Sequence, residues 1–266
     1  MKIGVAGAGG RMGRLVVRAV VDHPGAVLAA GGVRAGSGGA GVDLGTLAGL
    51  GPLGLAATED TAALFAASDV VIDFSHPNAL GRHLDEAVAQ RKALVIGTTG
   101  LAAGQERAIA EAARVVPIVF AANFSTGVTL LTALVRRAAA VLGPEYDIEI
   151  LEMHHRQKID APSGTALALA RAAASGRGIG LEENMEAARH GHTVRRREGA
   201  IGFAVLRGGQ VVGEHTVLFA GAVEHLALSH RSFDRRVYAE GAVRAALWLN
   251  GKPAGLYGME DVLGLA

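Results

Sequence analysis

Short apolar runs alternate along the chain with longer stretches in which apolar positions recur every three or four residues, and the first half repeats this alternation about every 30 residues, as βαβ units do. Strands are predicted at Lys2–Ala6, Val27–Val33, Val70–Phe74, Ala93–Ile96 and Val115–Phe120. Helices are predicted at Arg11–Asp22, Glu59–Ala66, His76–Gln90 and Ala102–Ala113, with a Gly-rich loop over about Gly36–Gly54. VVPIVF is continuously apolar and VVIDF is apolar but for Asp73, which suits strands covered on both faces, so the sheet is expected to be mainly parallel and doubly wound.

The pattern changes after Ala121. Ser125 can cap a long helix to about Leu142, and Asp147–His155 (DIEILEMHH) then alternates with period two, so a second sheet begins there. Further strands are expected at Ile201–Arg207 and Val211–Phe219, joined through Gly208-Gly209-Gln210 as a hairpin, and at Glu224–Ser229. One helix starts near Pro162 and runs to about Ala174. Gly176–Gly199, polar and rich in Arg and His, reads as a mobile loop, and a helix over Arg236–Leu249 precedes a short tail. The expected fold class is α/β: a doubly wound, mainly parallel sheet joined to a second α+β domain built on a mixed sheet.

At 266 residues the chain has room for one large or two modest domains. Half of it is apolar and 19% charged, which excludes disorder over most of its length. The 38 glycines are about twice the usual ~7% share. A net charge of +1 supplies no field that would draw the chain to nucleic acid or an anionic membrane, leaving small-molecule chemistry as the leading class. The absence of cysteine excludes disulfides, thiolate metal sites, iron–sulfur clusters and Cys nucleophiles. With no apolar run long enough to span a bilayer and a Gly-interrupted start unlike a signal peptide, the expected location is the cytoplasm.

Gly7-Ala8-Gly9-Gly10-Arg11-Met12-Gly13 lies between the first strand and the first helix, where a dinucleotide's pyrophosphate would meet backbone N–H groups and the helix dipole. The spacing is G-x-x-G-x-x-G, and a plain strand-to-helix turn is the alternative. Where an acidic residue usually meets the ribose 2′-OH, about 20 positions on, the chain has Val33-Arg34; the guanidinium suits a 2′-phosphate and favours NADP over NAD, unless Arg34 is simply solvated. Gly97-Thr98-Thr99-Gly100 and Ala121-Ala122-Asn123-Phe124-Ser125 close strands at the ligand-binding edge; they either line a nicotinamide or serve as helix caps.

The densest chemistry is His154-His155-Arg156-Gln157-Lys158-Ile159-Asp160-Ala161-Pro162-Ser163-Gly164-Thr165. Pro162 at a helix start would leave the N–H groups of Ser163, Gly164 and Thr165 aimed outward, an anion site. A His for proton transfer, a Lys for one carboxylate and a helix N-terminus for another suit a small dicarboxylate. Either His alone has a structural alternative. Adjacent His154 and His155 face opposite ways on a strand and do not chelate a metal together. His190 and His192 lack a third ligand, so no metal is expected, and Arg195–Arg197 reads as a solvated loop, with a phosphate or carboxylate contact as the alternative.

With these residues in view, the chain resembles the dihydrodipicolinate reductase (4-hydroxy-tetrahydrodipicolinate reductase) family of bacterial lysine and diaminopimelate synthesis. The resemblance runs nearly end to end through VAGAGGRMG, VIDFSHP, VIGTTGL, FAANFSTGV, EMHHRQKIDAPSGTALALA, GFAVLRGGQVVGEHTVLFAG and GAVRAALWLNGKPAGLYGMEDVLGL. It implies a Rossmann-like dinucleotide-binding domain over 1–125, a substrate-binding and oligomerisation domain over 126–234, and a C-terminal segment, 235–266, that returns to the first. It also implies that Gly7, Ala8, Gly9, Gly10, Arg11 and Met12 cradle the pyrophosphate, that Arg34 meets the adenosine ribose or its phosphate, and that Gly97, Thr98, Thr99, Ala121, Ala122, Asn123 and Phe124 line the nicotinamide side. His154 would donate the proton, with Lys158 as its catalytic partner, while His155, Lys158, Ser163, Gly164 and Thr165 hold the substrate. The implied cofactor is NADPH, with NADH possible; the implied partners are a small dicarboxylate and three further copies in a homotetramer. Crossings near Ala121–Ser125 and Phe233–Val237 suggest a hinge that shuts out water. Two departures stand out: Val33, where members using NADH well carry Glu or Asp, and His76, where Arg is common. The competing readings are another amino-acid dehydrogenase, such as one acting on aspartate, and a non-catalytic redox sensor.

Overall fold

The computed structural model describes residues 1–187, 189–191 and 194–265. The chain divides into two units, Met1–Thr126 together with Arg236–Ala266, and Gly127–Arg235.

In the first unit, β1 (Lys2–Ala6), α1 (Arg11–Asp22) and β2 (Val27–Gly32) are followed by two short helices, α2 (Leu44–Ala48) and α3 (Thr61–Ala66). Then come β3 (Val70–Asp73), α4 (Pro77–Ala89), β4 (Ala93–Ile96), α5 (Ala103–Ala112) and β5 (Pro117–Phe120). These strands pair in parallel, and every residue of β3 and β4 is buried, Asp73 at the end of β3 included. α2 falls inside the stretch expected to be a loop. Asp43 accounts for it: its carboxylate accepts the main-chain N–H groups of Gly45, Thr46, Leu53 and Leu55 at 2.8–3.1 Å, gathering a Gly-rich segment around one charge. His76 caps α4 by accepting Asn78 N–H at Nδ1, 3.2 Å, with Pro77 at the first helical position.

The second unit contains α6 (Thr126–Val141), β6 (Asp147–His154), α7 (Gly164–Arg177), α8 (Leu181–Asn184), β7 (Met185–Glu186), β8 (Ile201–Arg207), β9 (Gly213–Ala220) and β10 (His225–Ser232). Its sheet runs β10-β9-β6-β8-β7, with β6 parallel to β8 and antiparallel to β9. The hairpin expected between β8 and β9 therefore does not form. β6 lies between them, and the chain crosses its end, where Gly208 N–H donates to the His154 carbonyl at 2.9 Å. The glycines do permit a turn, but a β8–β9 hairpin would leave β6 at an edge with inward-facing Glu152 and His154 uncovered. Ile148, Ile150, Ile201, Phe203, Val217 and Phe219 instead form one buried face against Leu131 and Val135 of α6 and Ala166, Leu169 and Ala173 of α7. The expected mobile loop Gly176–Gly199 carries the end of α7, α8 and β7. Arg196 anchors it through Asp147, Glu149 and the carbonyls of Ile148 and Ala200. His192 lies outside the described residues.

α9 (Arg236–Trp248), β11 (Gly255–Tyr257) and α10 (Met259–Leu263) belong to the first unit. What was expected as a short tail thus supplies an edge strand parallel to β5, giving the order β11-β5-β4-β3-β1-β2. Ala242, Val243, Ala246, Met259 and Val262 join Ile3, Val5, Val16 and Ile72 in its core. Among the described residues, no helix is long and apolar enough to cross a membrane.

Candidate active site

At the carboxyl ends of β1 to β5, the first unit gathers four loops. Gly7 leaves β1 at φ +75°, a backbone that favours glycine, and Gly10 N–H donates to its carbonyl at 2.9 Å. A Cβ on Gly13 would stand 2.0 Å from the Gly7 carbonyl oxygen, so only glycine lets α1 begin this close to the strand. Ala8 is buried, Gly9 and Met12 half-buried, and Gly10 and Arg11 exposed. The first turn of α1 carries no acidic residue. Backbone N–H groups, a helix start and a surface with no side chains in the way fit a pyrophosphate. Val33 flanks this loop, with Cγ1 3.5 Å from where a Gly9 side chain would begin, and Arg34 is exposed.

The turn after β4 is arranged differently from the sequence expectation. Thr98 is buried, and its hydroxyl donates to Asp73 Oδ1 at 3.2 Å, so Thr99 is the threonine left exposed. Phe124 is buried too, its ring edge-on to Phe74 at 5.5 Å; Ala122 is exposed, while Ala121 and Asn123 are half-buried and Asn123 accepts Ser125 N–H at 2.8 Å.

In the second unit the side chains converge on Glu152. Strand alternation puts Glu152 and His154 on the inner face of β6, and His154 Nδ1 lies 2.6 Å from Glu152 Oε2. Arg207, at the end of β8, grips the same carboxylate with both terminal nitrogens at 2.8 and 2.9 Å, and Ser163 N–H donates to it at 3.0 Å. Burial would raise the Glu152 pKa, but bonds from Arg207, then His154, then Ser163 hold it below the usual carboxylate value. For His154 burial dominates and lowers the pKa, against the upward pull of Glu152. His215 of β9 lies edge-on to His154 at 5.1 Å with its Nε2 3.1 Å from Ser163 Oγ. Burial first, then the field of His154, lowers its pKa to about 4, so it is neutral at pH 7.

Two expectations change here. α7 begins at Gly164 with Ser163 as its cap, preceded by a cis Ala161–Pro162 bond. Ser163 is 2% exposed, its N–H engaged by Glu152 and its Oγ by Ala166 N–H, so it does not aim a donor outward as expected; Gly164 is the exposed position at the helix start, with Thr165 half-buried behind it. Lys158 is ion-paired: Nζ donates to both oxygens of the half-exposed Asp160 at 2.7 and 2.8 Å. His155 is half-buried just past the end of β6. The structure thus brings His154 and Ser163 together through a carboxylate that was not singled out. Period two along β6 was signal enough for Glu152; Arg207 and His215 arrive from other strands, and nothing local announced them. Among the described residues no cluster of three His, Asp or Glu suits a metal.

Comparison with known proteins adds independent findings. A family model described as dihydrodipicolinate reductase, N-terminus, matches residues 1–124, and one described as dihydrodipicolinate reductase, C-terminus, matches 127–263. A 4-hydroxy-tetrahydrodipicolinate reductase from Beijerinckia indica is 51% identical over all of this chain and 98% of its own, and one from Gluconacetobacter diazotrophicus is 53% identical with the same coverage. A dipicolinate-bound dihydrodipicolinate reductase from Paenisporosarcina sp. TG-14 superposes with a TM-score of 0.78 at 27% identity, covering 98% of each chain. Sequence likeness at this level over the whole length, with the same two-unit fold, means that the chain belongs to the dihydrodipicolinate reductase family.

Proposed function

We propose that this chain reduces the cyclic dicarboxylate 4-hydroxy-tetrahydrodipicolinate to tetrahydrodipicolinate, using NADPH in preference to NADH. The observation that carries the reading is the buried Glu152–His154 pair, 2.6 Å apart, close to the start of α7. Glu152 fixes the imidazole at Nδ1, which leaves Nε2 as the proton-bearing atom directed at substrate. Gly213 leaves that Nε2 clear, since a Cβ at this position would stand only 3.0 Å from it. Lys158 exchanges Asp160 for a substrate carboxylate, and the Gly164–Thr165 helix start and His155 take up the rest of the dianion. Ser163 supports the same site from within, as the cap of α7.

The glycine loop from Gly7 to Met12 would hold the dinucleotide's pyrophosphate, and Gly97–Thr99 with Ala121–Phe124 would flank its nicotinamide. When bound, the reduced nicotinamide supplies a hydride, and His154 supplies the proton to the carbon beside the one reduced, with water leaving from the 4-hydroxy position. Val33 offers a ribose 2′-OH no acceptor, whereas the guanidinium of Arg34, exposed beside it, would meet a 2′-phosphate. The test is substrate-dependent loss of nicotinamide absorbance. The expected result is turnover on 4-hydroxy-tetrahydrodipicolinate but not aspartate, with kcat/KM at least about tenfold higher for NADPH, reversed by Val33→Glu with Arg34→Ala. Turnover on aspartate, or none on either compound, would overturn the assignment.

A further inference from the structure

Asp73 ends β3 with none of its surface exposed. A carboxylate there is costly to bury, and its charge is met by groups from three segments. Oδ2 lies 2.7 Å from His83 Nδ1, which reaches over from the middle of α4 and is itself buried. Oδ1 accepts Ser75 N–H at 2.8 Å and the Thr98 hydroxyl at 3.2 Å, and the Asp73 carbonyl accepts Gly97 N–H at 2.9 Å. Burial would raise the Asp73 pKa, but the bond and field of His83, followed by Ser75, hold it below the usual carboxylate value, so the group is ionised.

A buried polar pair of this kind is weak evidence for stability, since replacing a buried ion pair by apolar residues of similar volume is often neutral or stabilising. Apart from His83, every group that Asp73 holds belongs to a turn at the ligand edge of the sheet. Ser75 is also the floor of the glycine loop: a Cβ on Gly7 would stand 3.1 Å from Ser75 Cα and 3.3 Å from the Phe74 carbonyl. Gly97 packs against the Phe74 ring, so closely that a Cβ there would meet it at 2.3 Å. One carboxylate therefore sets the relative positions of the loops after β1, β3 and β4.

We propose that Asp73 and His83 are positioning residues, a buried pair that holds the Ser75 and Gly97–Thr99 turns in the one shape that receives the nicotinamide dinucleotide. This rests on the assignment of those turns to the cofactor given above. Thr98→Val removes only the hydroxyl donation and keeps the side-chain shape. His83→Leu removes the hydrogen-bond partner of Oδ2, and His83→Asn restores a donor near the Nδ1 position. NADPH dissociation constants from nicotinamide fluorescence, cofactor KM, inhibition by dipicolinate and thermal melting would be measured on the full chain.

Thr98→Val and His83→Leu are expected to raise the NADPH Kd and KM about tenfold while dipicolinate inhibition stays within about twofold of the parent, and His83→Asn is expected to recover most of the loss. If His83→Leu does not fold, Thr98→Val decides. Parent-like NADPH affinity in Thr98→Val and in every folded His83 variant, with only melting lowered, would reduce the pair to a structural one and overturn the proposal. Failure of the unmodified chain to bind NADPH would instead overturn the cofactor assignment beneath it, and the proposal with it.

Discussion

His154 has one ring nitrogen committed to Glu152 and the other available, and that asymmetry sets what its substitution should do. His154→Gln keeps a polar side chain but has no titratable proton, so kcat is expected to fall about 10²–10⁴-fold with NADPH affinity unchanged. Lys158→Ala should act differently, raising substrate KM and lowering kcat/KM by about 10–150-fold. The lower part of that range is expected because Lys158 is already paired with Asp160 and, in the proposed role, would exchange one charged bond for another. The pH dependence follows from the sign of the His154 shift. Proton donation needs the charged imidazole, and burial places the pKa of the free enzyme below the ordinary ~6.5. kcat/KM should therefore decline as pH rises through a value on the acid side of neutrality, and that limb should vanish in His154→Gln. A limb above pH 8 that survives the substitution would name a different acid.

Among the elements, the β1–α1 junction was legible because all its determinants are local: a strand, a glycine spacing and a helix in one stretch of sequence. Gly13→Ala tests that junction, since the added methyl meets the Gly7 carbonyl at 2.0 Å and α1 must withdraw. NADPH affinity should drop at least about tenfold, as the anion site is built from that approach, while dipicolinate inhibition is unchanged; equal affinity for NADPH would place the cofactor elsewhere. The second sheet was less legible. Alternation marked β6, β8 and β9 as strands, yet pairing order is a tertiary choice, and Gly208-Gly209 looked like a hairpin although β6 inserts between its arms. For the same reason Glu152 was within reach of a period-two reading, while Arg207 and His215 were not. α2 was hidden by its glycines, because the organising group is a single aspartate whose partners lie two to twelve residues downstream.

At the scale of the molecule, the outer face of the second sheet carries Leu151 and Leu206 at 42% and 48% exposure, on neighbouring strands. An apolar sheet face of this kind is a liability in a lone chain and an asset in an assembly. Light scattering at micromolar protein is expected to give four times the chain mass, and Leu151→Glu with Leu206→Glu to lower it; the mass of one chain for the unmodified protein would refute the tetramer.

The first unit is written in two pieces, 127–235 standing between them. During synthesis β5 leaves the ribosome with an unpaired edge, and its neighbour β11 is made only after the whole second unit. At ~5–20 residues per second the wait is on the order of ten seconds. In that time the continuous second unit can fold while the first still lacks α9, whose Ala242, Val243 and Ala246 belong to its core. The half of the protein that starts the chain is thus the last to be completed, and chains that stall before Gly255 should be the ones that chaperones and proteases find.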